Sequence, residues 1–411
     1  MSTHREPRKL ELPQRPNLRH LKDQAKDLLK NGEATSITDA QGKIARIYGF
    51  ANWPNLKAHV ESFEDIGKLK QAIDANDFAS VQTLMTRNPA LHRAPLGYGK
   101  DGPLTWVAEC RVPWEPPNPA RLAIAEWMIA NGSDVHQGGD GPLMRAALNG
   151  YRIPMMELLV AHGADVNALW HGHFPIIFAP CESLDPDALR WLLDHGAKPN
   201  RRDHGYQING HRYPGTALDY LIAGYVRSPE RLSASIEILL KAGAETKYSE
   251  PAVMALLRGR LDDLGAEMDG DPPLISRRFS ELDCGQTGGR RLTLVGGTLL
   301  HLAAEYGNAQ AAVLLLKRGA DVNARATVDE AGVGGHTALF HAVTQFDDRG
   351  LAVTQLLLES GADVSVRATL PGDYEKPGEF VEGTALDYAL LFGGASTRKS
   401  VTLLLERGAV G

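Results

Sequence analysis

At 411 residues, with 44 Lys and Arg against 50 Asp and Glu, the chain has a formal net charge of -6 and lacks the basic excess of a dedicated nucleic-acid binder. Hydrophobic residues make up 43%, enough for a large core, which excludes disorder; 42 Gly and 24 Pro occur without period, which excludes a collagen-like chain. The length predicts two or three domains, unless the chain is a solenoid that grows by adding units.

Residues 1–15 are charged and interrupted by proline, with no apolar h-region, so they predict a flexible tail and no signal peptide. No stretch approaches 18 uninterrupted apolar residues, so no membrane span is expected. Cys110, Cys181 and Cys284 are odd in number and far apart, which suits a reducing, cytoplasmic setting without disulfides. Residues 16–66 predict three helices that bury one face each: Leu18, Leu21, Ala25, Leu28 and Leu29; then Ala40, Ile44, Ile47 and Tyr48; then Trp53, Leu56, Val60 and Phe63.

From residue 67 onward two phrases alternate. The first is short and helical: GPLTWVAEC (102–110), GPLMRAALNG (141–150), GTALDYLIAG (215–224), GTLLHLAAEYGN (297–308), HTALFHAV (336–343) and GTALDYALLFG (383–393). The second is an apolar helix closed by Gly-Ala-Asp or a variant: MELLVAHGADVNA (156–168), LRWLLDHGAKPN (189–200), IEILLKAGAETK (236–247), AVLLLKRGADVNAR (312–325), QLLLESGADVSVR (355–367) and VTLLLERGAVG (401–411), with a weaker copy at 125–136. Alternation at intervals from the low thirties to the high forties predicts a repeat array. Thr before the first helix caps its opening amides, and small residues such as Ala146, Ala147, Ala303 and Ala304 admit a close neighbour. Leucines on the second helix form a stripe wide enough for two neighbours, and a glycine then ends it. One such pair cannot hide its apolar faces, so the pairs must stack.

Residues 69–93 and 253–278 look like degenerate first units, since each closes on a matching pair, Asn88-Pro89 and Asp271-Pro272. The expected organisation is therefore an all-α solenoid: a tail at 1–15, a helical cap at 16–66, and two blocks at 67–248 and 249–411, about nine helix pairs in all.

The paired phrases resemble the ankyrin repeat family over roughly 68–411, matching its Thr-Pro-Leu-His-x-Ala-Ala and Leu-Leu-x-x-Gly-Ala-Asp-x-Asn signatures. The Pro position is mostly Ala or Leu here (Ala217, Leu299, Ala338, Ala385), and the His position holds Asp219 and Asp387 in two units. The helices at 16–66 resemble the cap that precedes many bacterial arrays of this family. The resemblance implies β-hairpin fingers at the turns, a concave binding face, and a role for His301 and His341, assigned to the His position, in bracing neighbouring turns.

No Walker-type, dinucleotide, zinc or nucleophile-elbow spacing occurs, so no cofactor is expected. Candidate binding residues come from the long inserts, where loops on a rigid scaffold concentrate function. These are His204, Tyr206, His211 and Tyr213 with Arg212; His336; and Tyr374 with Asp373 and Glu375. Trp106 and Trp114 flank the proline-rich insert CRVPWEPPNPA, while His171 and His173 share a turn near Cys181. Against the leading reading, non-catalytic binding of a protein partner or a small ligand without nucleic acid or membrane, stands an enzyme. It would be a metal-dependent hydrolase or lyase with a pocket around His301, Glu305, His336, His341 and Tyr374.

Overall fold

The computed structural model describes residues 10–13, 16–96, 98–108, 118–202, 207–208, 211–212, 215–224, 226–284, 292–372, 378–392 and 398–409. Two compact units emerge: Met1–Glu109 with Pro117–Gly138, and Cys110–Pro116 with Gly139–Gly411. This division concerns compactness and falls elsewhere than the expected repeat-block boundary at 248/249.

The first unit opens with α1 (Leu18–Lys30), α2 (Ile37–Ile47) and α3 (Trp53–Asp74), started by the side chains of Asn17, Ser36 and Asn52 accepting from first-turn amides. Their shared core holds Leu18, Leu21, Ala25, Ala40, Ile44, Leu56 and Val60, whereas Leu29 and Phe63 of the expected faces stay exposed. Helix α3 runs unbroken through the expected boundary at 66/67. Nothing there stops it: Gly67 keeps helical geometry and no proline comes after it before the helix ends. It packs on α4 (Phe78–Arg87) and α5 (Pro103–Ala108), and α6 (Pro119–Ala130) completes the unit's helices ahead of α7 (Gln137–Leu148), most of which belongs to the second unit.

In the second unit helices come in pairs: α7 and α8 (Ile153–Ala161), α9 (Phe178–Ser183) and α10 (Pro186–Asp194), α11 (Ala217–Ala223) and α12 (Pro229–Lys241), α13 (Pro251–Leu257) and α14 (Leu261–Gly270), α15 (Leu299–Glu305) and α16 (Ala309–Lys317), α17 (Ala338–Val343) and α18 (Leu351–Glu359), α19 (Ala385–Phe392) and α20 (Arg398–Glu406). First helices pack on first helices (α15 on α17, α17 on α19) and second on second (α16 on α18, α18 on α20). Ala303, Ala304 and Leu315 are fully buried in these seams. Among the described residues the only strands are short antiparallel hairpins in the turns between pairs: β1 (Leu169–Trp170) with β2 (Phe174–Pro175), β3 (Gln207–Ile208) with β4 (His211–Arg212), and β5 (Ala368–Pro371) with β6 (Phe380–Gly383). The framework is helical, as the repeat pattern predicts.

The recurring Gly-Ala-Asp-Val-Asn phrase has a direct physical meaning. Gly196, Gly243 and Gly361 all sit at positive φ (91°, 80° and 88°), the conformation that frees the last helical carbonyls for capping. Asp165, Asp321 and Asp363 then turn the chain by accepting from the amide two residues on. The asparagine reaches the next repeat. Asn167 donates to the Gly196 carbonyl and accepts from the Lys198 amide, both at 2.9 Å. Asn200 does the same to Gly243 (2.9 Å) and Glu245 (2.8 Å), and Asn323 to Gly361 (3.2 Å) and Asp363 (2.8 Å). Each staple satisfies one buried-edge carbonyl and one amide that a lone repeat would leave unmade.

The two degenerate units share one local geometry. Asn88 (φ −131°, ψ 82°) and Asp271 (φ −135°, ψ 80°) end α4 and α14 in extended backbone, the region that a proline at the next position enforces. Each leads into a 3-10 turn, Pro89–Arg93 and Pro272–Ile275.

Replacing Leu315 by Asp places an unpaired charge in the α16 seam and should cost about 4 kcal/mol or more. Urea unfolding of the second unit is the check; an unchanged midpoint would mean that the buried seam has been misassigned.

Candidate functional site

Four of the expected site residues converge. In three of the repeats the first helix opens on a threonine, and the side chain three residues later closes back on it. In α11 this is Asp219, whose Oδ2 accepts from the Thr216 amide (3.1 Å) while Oδ1 accepts from Thr246 Oγ1 and the Lys247 amide of the next repeat (both 2.8 Å). In α15 it is His301. The Thr298 amide donates to its Nδ1 (3.1 Å), so that nitrogen is unprotonated and Nε2–H donates to the His336 carbonyl (3.1 Å). Asp and His thus do one job: cap their own helix and tie down the next turn. Asp387 caps Thr384 in the same way, at 2.7 Å.

His341 does not occupy that position. Counting three residues from Thr337 reaches Phe340, and the His341 ring turns to Glu305 instead, with Nδ1 2.6 Å from Oε2. The expected brace is therefore made by His301 alone of the two. Glu305 is fully buried, and its Oε1 takes Arg227 Nη2 at 2.8 Å and Nε at 3.2 Å. Arg227 comes from the loop between α11 and α12, also binds the carbonyls of Gly224 and Val226, and lies 4.5 Å from the Tyr306 ring centroid. Tyr306 donates to the Ile222 carbonyl, and Arg349 donates to the Arg227 carbonyl at 3.4 Å. An Arg227–Glu305–His341 chain thereby joins three repeats.

The rings of His301, His336 and His341 lie 5.0 to 5.9 Å apart, centroid to centroid. Their closeness invites a metal, but two of the four are committed: both His301 nitrogens bind protein, and Glu305 already neutralises Arg227. Among the described residues no group of three His, Cys, Asp or Glu side chains could hold an ion. None of the four exceeds 3% exposure, so no substrate can touch them. Burial, then the neighbouring His341, pushes the His301 imidazole down to about 3. For Arg227, burial opposes the charge, and the carboxylate of Glu305 outweighs it to raise the guanidinium above its ordinary value. Burial likewise pushes the Cys284 thiol up to about 11 and raises that of Cys181, leaving both inert thiols.

The remaining candidates are dispersed. Half-buried Trp106 donates to Asp74 Oδ1 (3.1 Å) beneath Lys70, within the first unit. His171 is exposed at the β1–β2 turn, with its ring 4.6 Å from that of Trp170, and His173 is half-buried beside it. His211 lies on β4. Trp114, His204, Tyr206, Tyr213 and Tyr374 lie outside the described residues, as do Asp373 and Glu375.

Sequence reasoning missed an arginine ladder along the turns. Arg278 Nε donates to the Arg325 carbonyl (2.8 Å), Arg325 Nη2 to the Arg367 carbonyl (2.5 Å), and Arg367 Nη2 to the Glu382 carbonyl (3.3 Å). Main-chain bonds run beside it: the Thr327 amide to Gly296 O (3.1 Å) and the Gly334 amide to Thr369 O (2.8 Å). The described residues of three successive turns, around Arg278 and Gly296, 325–336, and Arg367 with Thr369, are therefore zipped side by side. Val295, Val328 and Phe380 stand exposed on them, Phe380 by 55%. The signal was present in the repeated Val-Asn-Ala-Arg-Ala-Thr (322–327) and Val-Ser-Val-Arg-Ala-Thr (364–369).

A family model described as ankyrin repeats (3 copies) matches residues 118–203 and 266–368. The crystal structure of the human ASB11 ankyrin repeat domain is similar at 20% identity, over 66% of this chain and 99% of that one, with a TM-score of 0.30. The search of curated proteins found no match. No helix among the described residues is long and apolar enough to cross a membrane.

The buried network has two measurable outcomes. As pH falls from 6.5 toward 3, the unfolded chain takes up a proton at residue 301 that the folded one refuses, so stability present above 6.5 is lost by at most about 1.4 kcal/mol per pH unit. His301→Asn should flatten that slope in thermal melts between neutral pH and pH 4; equal slopes would refute the assignment. Glu305→Ala, which strands Arg227 in the interior, should cost about 3–5 kcal/mol, and Glu305→Leu with Arg227→Met should recover most of it, as read by urea midpoints.

Proposed function

We propose that this chain, an ankyrin-repeat protein by its matched segments, is a non-catalytic recognition module whose protein partner docks on the zipped fingers and the adjoining first helices of the second unit. Ankyrin repeats are typically protein–protein interaction modules. The observation that carries the reading is the finger ridge: a pre-ordered surface, held by main-chain bonds and the arginine ladder, that keeps Val295, Val328 and Phe380 in water. Leaving apolar side chains on a rigid support stabilises nothing in the free protein, but it lowers the ordering cost of association. Mixed charge around them, from Asp329, Glu330, Arg367 and Glu382, suits a polar rim. The pairing of His301 and Glu305 supports this reading over the enzymatic one, because both side chains are spent on joining repeats.

Affinity capture from cell extract, with the partner identified and its binding then measured with purified proteins, tests this. Val328→Ser with Phe380→Ser should weaken binding roughly 10-fold or more, which is about 1.4 kcal/mol, while leaving the thermal midpoint unchanged. Undiminished binding by that variant would overturn the assignment of the surface.

A further inference from the structure

A solenoid repeat normally touches only its two neighbours. The residues around α11 and α15 break that rule, because α13 and α14 lie between them in the chain. Arg227, from the α11–α12 loop, places Nη2 and Nε on Glu305 Oε1 (2.8 and 3.2 Å) and Nε also on the Glu305 carbonyl (3.2 Å) at the end of α15. The Tyr306 hydroxyl returns the contact by donating to the Ile222 carbonyl of α11. Arg349, between α17 and α18, donates to the Arg227 carbonyl (3.4 Å). Packed helices stand about 8–10 Å apart, so repeats two places apart are ordinarily beyond the reach of one side chain. The loop crosses that gap as a strap.

The junction that the strap bypasses is built unlike those beside it. At the flanking junctions first helices pack on first and second on second: α9 on α11 with α10 on α12, then α13 on α15 with α14 on α16. Between α11–α12 and α13–α14 the substantial helix contact among the described residues is α12 on α13 alone. Lys247 stands at the asparagine's place in the phrase, so no staple reaches forward. Polar, partly exposed groups join the two pairs instead. Ser233 Oγ donates to the Arg258 carbonyl (2.6 Å), and Arg258 and Arg260 each put Nε on Glu237 Oε1 (2.7 and 3.1 Å). Ion pairs this exposed contribute about 0–1 kcal/mol each. At the finger end, Asp219 of α11 holds Thr246 Oγ1 and the Lys247 amide, just ahead of α13 (both 2.8 Å). We infer that this junction is a hinge, pinned at its finger end, and that the Arg227 loop is the strap that holds it shut at the other. Breaking the strap lets α11–α12 swing away from α15–α16 while the pairs on either side stay folded.

Double electron–electron resonance of the full chain, with spin labels at Glu230→Cys on α12 and Gln310→Cys on α16, reads the gap that the strap spans. Both sites are exposed, and Cys110→Ser leaves only the two buried thiols besides. With the strap intact the distance distribution should be single and narrow. Arg227→Met with Glu305→Leu, which removes the strap's ion pair without stranding a charge, should broaden it and lengthen its mean by about 5 Å or more, half the spacing of packed helices. A control pair at Gln310→Cys and Gln355→Cys, within the stack beyond the hinge, should not move. Tyr306→Phe with Arg349→Gln leaves the buried pair intact and is read the same way if the first variant lowers the thermal midpoint; it should broaden the distribution in the same direction. A distribution already broad with the strap intact, an unchanged distance in both variants, or equal movement of the control pair would overturn the inference.

Discussion

A helix pair of this size has more main-chain polar groups and more apolar surface at its flanks than it can satisfy alone, and nearly every feature of the second unit answers that deficit by borrowing from the neighbour. The asparagine staples, the Thr–Asp and Thr–His caps and the arginine ladder each send one side chain across to a carbonyl or amide in the next repeat. The leucine stripes do the same for apolar area. Stability is then a nearest-neighbour property, and a residue that serves two repeats is worth more than its burial suggests.

The Arg227–Glu305–His341 chain departs from this pattern because it links residues 78 and 36 positions apart rather than equivalent places in adjoining repeats. It spans the neighbourhood of the degenerate pair α13–α14, where no asparagine staple reaches forward: the Glu245-Thr246-Lys247 stretch has no asparagine to send. A buried ion pair contributes little net stability over an apolar substitute, but it tolerates no half measures. Two of the histidines gathered there serve the stacking: His301 caps Thr298 and His341 meets Glu305.

Much of this was legible in the sequence. Gly-Ala-Asp-Val-Asn names its turn, its left-handed glycine and its staple, and Asn88-Pro89 against Asp271-Pro272 disclosed two matching turns because proline constrains the residue before it. The limits were equally physical. His341 stands one place past the motif position, as counting from Thr337 shows, and only the fold reveals that it faces Glu305. Arg227 sits in the α11–α12 loop, outside both recurring phrases, so periodicity carried no information about it. The arginines at 325 and 367 recur visibly, yet their partner is a main-chain carbonyl, which composition cannot flag.

Helix α3 carries one further implication. Because it passes without interruption from the Leu56 and Val60 core to Leu69 and Ile73, the first three helices and the first repeat share a single rod. Any rotation of one is transmitted rigidly to the other, and a cut at residue 67 would sever a helix in its interior, exposing an apolar flank on both fragments. The N-terminal helices are thus mechanically fused to the first repeat, and the natural seams for dissecting the protein lie elsewhere.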